Sequence, residues 1–231
     1  MRSLGLIGGT SWHSTIDYYK TINQQVNDFH GDNTNPPLLV YTLNQSKIHK
    51  NQIENKWNEI ADMFIEACSK LEAAGAEMLM FCANTPHKIY HKVQEHIATP
   101  ILHIADATSQ EIKKQHINKV LFLGTKYTMT ESFVTDRIAS NDINVVSPIK
   151  EDEINELHRI IIEELTYGKI KEESKEYVLE IISRSIDNGV RGVVLGCTEF
   201  PLMIHANDVD IPIFDTTKIH AKAGVNFILQ K

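Results

Sequence analysis

Met78-Leu79-Met80-Phe81-Cys82-Ala83-Asn84-Thr85-Pro86 returns, much altered, as Val193-Val194-Leu195-Gly196-Cys197-Thr198-Glu199-Phe200-Pro201. In each copy an apolar run ends on a cysteine, and a proline follows four residues later. Upstream, Ser3-Leu4-Gly5-Leu6-Ile7-Gly8-Gly9-Thr10 is echoed by Asn118-Lys119-Val120-Leu121-Phe122-Leu123-Gly124-Thr125. Gly9 and Gly124, Thr10 and Thr125, Cys82 and Cys197, and Pro86 and Pro201 all stand 115 residues apart, about half of the 231 in the chain. Four coincidences at one offset indicate an internal duplication. Thr99-Pro100-Ile101 and Ile211-Pro212-Ile213 are separated by 112 instead, so insertions and deletions collect toward the tail.

Outward from these anchors, short apolar runs alternate with amphipathic stretches. Strands are predicted over 2–8, 37–43, 77–82, 100–103, 118–124, 143–147, 191–196 and 211–214, because continuous apolar runs of this length suit strands buried on both faces. Helices are predicted over 14–27, 55–74, 87–97, 105–115, 130–140, 151–167, 172–188 and 217–229. Within 55–74, Trp57, Ile60, Ala61, Phe64, Ile65, Cys68 and Leu71 recur at helical spacing. Gly75 and Gly189 each stand where a helix should stop. Strand–helix alternation implies parallel sheets. The expected fold class is α/β, with two pseudo-symmetric lobes, each a mostly parallel sheet flanked by helices, and an active site in the cleft between them. If the segment from Ile211 onward returns to the first lobe, the lobes are 1–97 plus 208–231 and 98–207.

Composition narrows the function classes. Hydrophobic residues at 42% and charged residues at 23% describe a globular chain rather than a disordered one. Lys+Arg of 23 against Asp+Glu of 30 leaves a net charge of -7, which argues against nucleic acid or an anionic membrane as partner. No apolar stretch approaches the roughly 20 residues of a membrane span. The three cysteines, without a C-x-x-C pair, fit free thiols in a reducing, cytoplasmic setting. Gly5, Gly8 and Gly9 lack the G-x-G-x-x-G order of a dinucleotide loop and read as tight-turn glycines. His87, His103 and His220 are scattered along the chain and show no zinc-type spacing, so no metal is expected. Cys68 reads as helix core, and the Tyr18-Tyr19 pair as helix packing.

Chemistry concentrates at the two duplicated cysteines. In parallel sheets ligands bind beyond the carboxyl ends of strands, and both thiols end a strand there. Thr85 is expected to cap the helix that Pro86 opens, and a thiol beside a helix start has its pKa drawn below the usual value of about 8.5. Two thiols on opposite sides of one small molecule, roughly 7 Å apart, suit inversion of a carbon stereocentre, with a base on one face and an acid on the other. Thr10, Asn84, Thr85 and Thr198 are candidate donors for a substrate carboxylate, with Ala83 lining the same turn. Glu199 either caps its helix or orients the neighbouring thiol or a substrate ammonium.

These motifs resemble the aspartate/glutamate racemase superfamily, over nearly the whole chain. Cys82-Ala83-Asn84-Thr85-Pro86-His87 is similar to its C-N-T-x-H signature, and Gly196-Cys197-Thr198-Glu199 to its G-C-T-E signature. The opening Gly5-Leu6-Ile7-Gly8-Gly9-Thr10-Ser11-Trp12, with Ser14-Thr15, is similar as well. The resemblance implies a cofactor-independent isomerase, with Cys82 and Cys197 as its two acid/bases. Glutamate racemases proper open on D-S-G and carry a histidine after the second C-T, so Gly8-Gly9-Thr10 and Glu199 point to the aspartate racemase and broad-specificity branch. Thr166 stands where aspartate-selective members carry a lysine, which implies broader amino-acid use, with Asn44 lining the side-chain pocket. Maleate isomerase-like or hydantoin racemase-like chemistry, or non-catalytic amino-acid binding, is the alternative on the same fold. A homodimer is the expected assembly.

Overall fold

A computed structural model describes residues 1–230. In chain order the elements are β1 (Leu4–Gly8), α1 (Trp12–His30), β2 (Leu38–Thr42), α2 (Gln45–Ile53), α3 (Trp57–Ala73), β3 (Met78–Phe81), α4 (Tyr90–Gln94), β4 (Ile101–Leu102) and α5 (Ile104–Lys114). Then follow β5 (Lys119–Gly124), α6 (Lys126–Thr130), α7 (Thr135–Ala139), β6 (Asn144–Val146), α8 (Glu151–Arg159), α9 (Glu172–Asp187), β7 (Val193–Gly196), β8 (Ile213–Asp215) and α10 (Thr216–Leu229). All eight predicted strands are present. Gly75 and Gly189 adopt φ of 92° and 86°, the left-handed geometry that ends a helix at a residue without a Cβ.

The chain divides into Met1–Ile104 with Thr217–Lys231, and Ala105–Thr216. Each unit holds one parallel four-stranded sheet, in the orders β2-β1-β3-β4 and β6-β5-β7-β8, so the duplication read from the sequence is a duplication of topology. The borders lie seven and nine residues later than 97/98 and 207/208. The reason is strand pairing: Leu79 is opposite Ile101, which keeps β4 with the first sheet, and Val193 is opposite Ile213, which keeps β8 with the second.

In the first unit, alternation along the strands sorts side chains onto two faces. Leu4, Leu6, Met80 and Cys82 pack with Tyr18, Ile22 and Val26 of α1 and with Ala221, Val225 and Ile228 of α10. Ile7, Leu79 and Phe81 pack on the other face with Ile60, Phe64, Cys68 and Leu71 of α3. Each large apolar side chain buried this way contributes about 1.5–3 kcal/mol.

The ladders of the two units differ by two residues. Phe81 is opposite Ile7, whereas Gly196, its counterpart at the 115-residue offset, is opposite Gly124. An even displacement leaves every side chain on its original face. Bulk also differs: where Phe81 stands in the first sheet the second has Gly196, and a Cβ on it would lie 2.1 Å from the Phe122 ring.

Candidate active site

Each sheet reverses its direction of growth at its central pair, β1/β3 in the first unit and β5/β7 in the second. The crevice outside the carboxyl ends of such a pair is where open α/β sheets bind ligands. Cys82 follows β3 directly, its N–H donating to Ile7 O at 3.0 Å, and Cys197 follows β7 directly. Both thiols therefore stand at a switch point, one in each unit.

Around Cys82 the first unit assembles a tight turn. Gly9, at φ 89°, leads from β1 into α1; any Cβ there would lie 2.1 Å from Leu43 O, so only glycine fits. Gly9 N–H donates to Thr15 Oγ1 at 3.1 Å, and Thr15 Oγ1–H donates to Ser11 O at 3.1 Å. Ser14 Oγ–H donates to Cys82 O at 2.5 Å, tying the first turn of α1 to the cysteine's backbone. The glycines thus serve backbone approach. Thr10 is half-buried in this turn, and Ala83, Asn84 and Thr85 are buried just past the thiol. Asn44 is exposed beyond β2, and its Oδ1 accepts Lys47 N–H at 3.0 Å as the cap of α2.

Two expectations about the thiols are overturned. Thr85 does not cap a helix: it is the first residue of a 3₁₀ turn, Thr85–Ile89, entered from Asn84 in helical conformation without a side-chain cap. So short a turn has little dipole to lower a neighbouring pKa. Burial decides instead, and Cys82, 2% exposed, is pushed up rather than down. Cys197 is pushed up as well, by burial first and then by the adjacent Glu199 charge.

Glu199 does not cap its own turn, Phe200–Leu202. One of its oxygens, Oε2, accepts the Cys197 S–H at 2.9 Å and the Thr198 Oγ1–H at 2.7 Å. Of the readings open to Glu199, the structure bears out contact with the thiol. Cys197, Thr198 and Glu199 form one local constellation. At the same offset in the first unit, Asn84 stands where Glu199 does, an amide in place of a carboxylate.

Sequence reading missed how the histidines gather. His87 and His103 ring centroids are 4.4 Å apart, and His87 and His220 5.9 Å. All three rings are buried in the first unit. Among the described residues, no group of three His, Cys, Asp or Glu side chains is arranged to hold a metal ion. Tyr18, read as packing, is buried and hydrogen-bonded to His220 Nδ1 at 2.8 Å, while Tyr19 is exposed. Cys68 is core, its thiol pushed up to about 12 by burial and then by Glu72. In the second unit a cavity of about 340 Å³, lined by Lys119, Val146, Ile181 and Arg184, opens toward the amino end of β5 and is not part of the Cys197 constellation.

Residues 7–224 match the family model for Asp/Glu/hydantoin racemases. The chain belongs to that family. Among solved structures, a Yersinia pestis protein provisionally described as an Asp/Glu racemase superposes with a TM-score of 0.94 at 39% identity, covering 100% of both chains. An aspartate racemase homologue from Pyrococcus horikoshii gives 0.86 at 36% identity, covering 99% of this chain and 100% of the other. The broad-specificity amino-acid racemase RacX of Bacillus subtilis is 22% identical over 230 residues, 98% of each chain. The racemase family and its two-lobed α/β fold, expected from the sequence, are borne out. No helix among the described residues is long and apolar enough to cross a membrane.

Proposed function

We propose that this protein is an amino-acid racemase, acting without a cofactor, whose two acid/bases are the thiols of Cys82 and Cys197. The observation that carries this reading is the repeated placement of a buried cysteine directly after the strand at a switch point, once per unit. In the reaction, one sulfur acts as a thiolate. It takes the α-hydrogen as a proton while the C–H electron pair remains on the α-carbon, next to the carboxylate. The other S–H then gives its proton to the opposite face, and that sulfur becomes the thiolate, so charge and protons balance.

Burial favours the neutral thiol at both positions; a substrate ammonium beside one of them favours its thiolate, and the proton that this sulfur gives up passes to solvent as the substrate enters. Glu199, accepting the Cys197 S–H, favours the protonated form of that thiol before it delivers its proton. The substrate carboxylate is bound by donors from Thr10, Ala83, Asn84, Thr85 and Thr198, with Asn44 toward the side chain. Kinship to an aspartate racemase homologue at 36% and to a broad-specificity racemase at 22% supports acidic amino acids first, with tolerance for others. A homodimer is the assembly expected of a small α/β enzyme, and light scattering distinguishes it from a monomer.

The test is a chiral assay over the common amino acids, aspartate and glutamate first, with Cys82→Ser and Cys197→Ser as controls. Interconversion of at least one enantiomeric pair, lost in both variants, is the expected result. Folded protein that interconverts none of them, or a serine variant that keeps full activity, removes the proposal.

A further inference from the structure

Directly behind Cys82, the hydrogen bonds of two histidines fix their protonation. His87 Nδ1 lies 3.0 Å from Ala83 O and 3.2 Å from Asn84 O. Carbonyl oxygens only accept, so Nδ1 carries the hydrogen. His87 Nε2 lies 3.2 Å from the backbone nitrogen of Ile104, an N–H that only donates, so Nε2 presents its lone pair. His220 has the opposite tautomer: Nε2–H donates to Leu102 O at 3.0 Å, and Nδ1 accepts from Tyr18 O–H at 2.8 Å. The rings of Phe81, His103 and His220 pack against His87 at centroid distances of 5.3, 4.4 and 5.9 Å. His87 is 2% exposed.

We infer that His87 is a positioning residue for Cys82, holding the turn that carries the thiol through its Nδ1–H. The claim rests on the reading of Cys82 as a proton-transfer group. Its physical basis is the planar trans peptide, in which C=O and N–H point in opposite directions. Drawing the carbonyls of Ala83 and Asn84 onto the imidazole directs the N–H groups of Asn84 and Thr85 to the other side of the turn. The same two bonds stop these peptide planes from rotating, which fixes the exit direction of the chain from Cys82. The Nε2 bond to Ile104 then anchors the ring to the junction of β4 and α5, so the turn is referenced to the sheet and not only to itself. Ser14 holds the Cys82 carbonyl from the α1 side. The turn is therefore held from two directions.

Two substitutions separate this role from simple packing. In His87→Asn the side-chain amide nitrogen falls close to the position of Nδ1 and keeps the donor to Ala83 and Asn84. In His87→Gln the amide group falls near Nε2, so it can meet Ile104 but not the two carbonyls. With the amino acid that the wild type converts fastest, His87→Asn is expected to stay within about tenfold of wild-type kcat. His87→Gln is expected to lose about 100-fold, as a misplacement of about 1 Å does, with KM changed less than about threefold. Alkylation by iodoacetamide, read peptide by peptide in the mass spectrometer, should show Cys82 labelled about tenfold faster relative to Cys197 in His87→Gln, and unchanged in His87→Asn. If kcat and the Cys82 to Cys197 labelling ratio instead follow melting temperature alone in the two variants, His87 is merely structural and the inference falls. If the wild type converts no amino acid, the racemase reading falls, and the labelling ratio still decides for or against His87.

Discussion

Cys197 and Glu199, two positions apart, show how a neighbouring carboxylate can set the state of a buried thiol. A carboxylate 2.9 Å from a buried thiol raises the cost of the thiolate and accepts the S–H, so Cys197 rests protonated. In Glu199→Gln the charge is gone, and the thiol pKa is expected to fall. Alkylation of Cys197 at pH 8 should become several-fold faster, while kcat drops about 10–100-fold through loss of the tuned donor. An unchanged pH dependence of Cys197 alkylation would contradict this role. At this scale the sequence was informative about identity and poor about environment. The duplicated strand ends singled out both cysteines, and Glu199 was found with its orientation undecided. The thiol pKa was expected in the wrong direction, because helix starts were read where only 3₁₀ turns form and because burial is not written in a local motif. The histidines were invisible as a group: His87, His103 and His220 are 16 and 117 residues apart in sequence and meet only when β3, β4 and α10 come together.

Among the elements, strands were easier to read than helices. Runs such as Val120-Leu121-Phe122-Leu123 are continuously apolar, and all eight predicted strands formed. α2 was missed because it buries only Ile48 and Asn51, too little to give a period. The single helix expected over 151–167 is α8, then a π-helical turn at Ile160–Glu164, then a 3₁₀ turn at Leu165–Tyr167. This change of winding buries Glu164, 2% exposed, against Arg159 at 2.7 Å, Lys171 at 3.0 Å and Ser174 at 2.7 Å. Burial pushes the carboxyl up, but the bonds from Ser174, Arg159 and Lys171 together outweigh it and hold it at about 2, below the ordinary 4.5. A depressed folded-state value stabilises the fold above the unfolded pKa and is lost as pH falls through the folded one. The wild type should therefore exceed Glu164→Gln in stability by roughly 3 kcal/mol above pH 4.5, and the gap should close toward pH 2. Denaturation midpoints at several pH values measure it; a gap that persists at pH 2 contradicts the assignment. Packing between β5 and β7 allows a sharper test. Gly196→Ala places a methyl 2.1 Å from the Phe122 ring and should cost about 1–3 kcal/mol, visible as a lower melting temperature. An unchanged melting temperature would show that Phe122 yields freely.

For the whole molecule, the duplication is the organising fact. Two sheets of matching order each deliver one cysteine to a switch point, and a reaction that needs an acid and a base on opposite faces of one carbon needs two such groups. The 115-residue offset was legible in the sequence and carried the fold class. The borders between units were not, because β4 and β8 are two and three residues long and only their ladders show to which sheet each belongs. The most direct measurement is proton exchange with solvent: the protein is incubated in deuterium oxide with one pure enantiomer, and both enantiomers are recovered and analysed for label. Two-thiol proton transfer predicts that the inverted product carries deuterium at the α-carbon from the first turnover, and that neither Cys82→Ser nor Cys197→Ser forms labelled inverted product. Inverted product without solvent deuterium, or its formation by either serine variant at the wild-type rate, would contradict it.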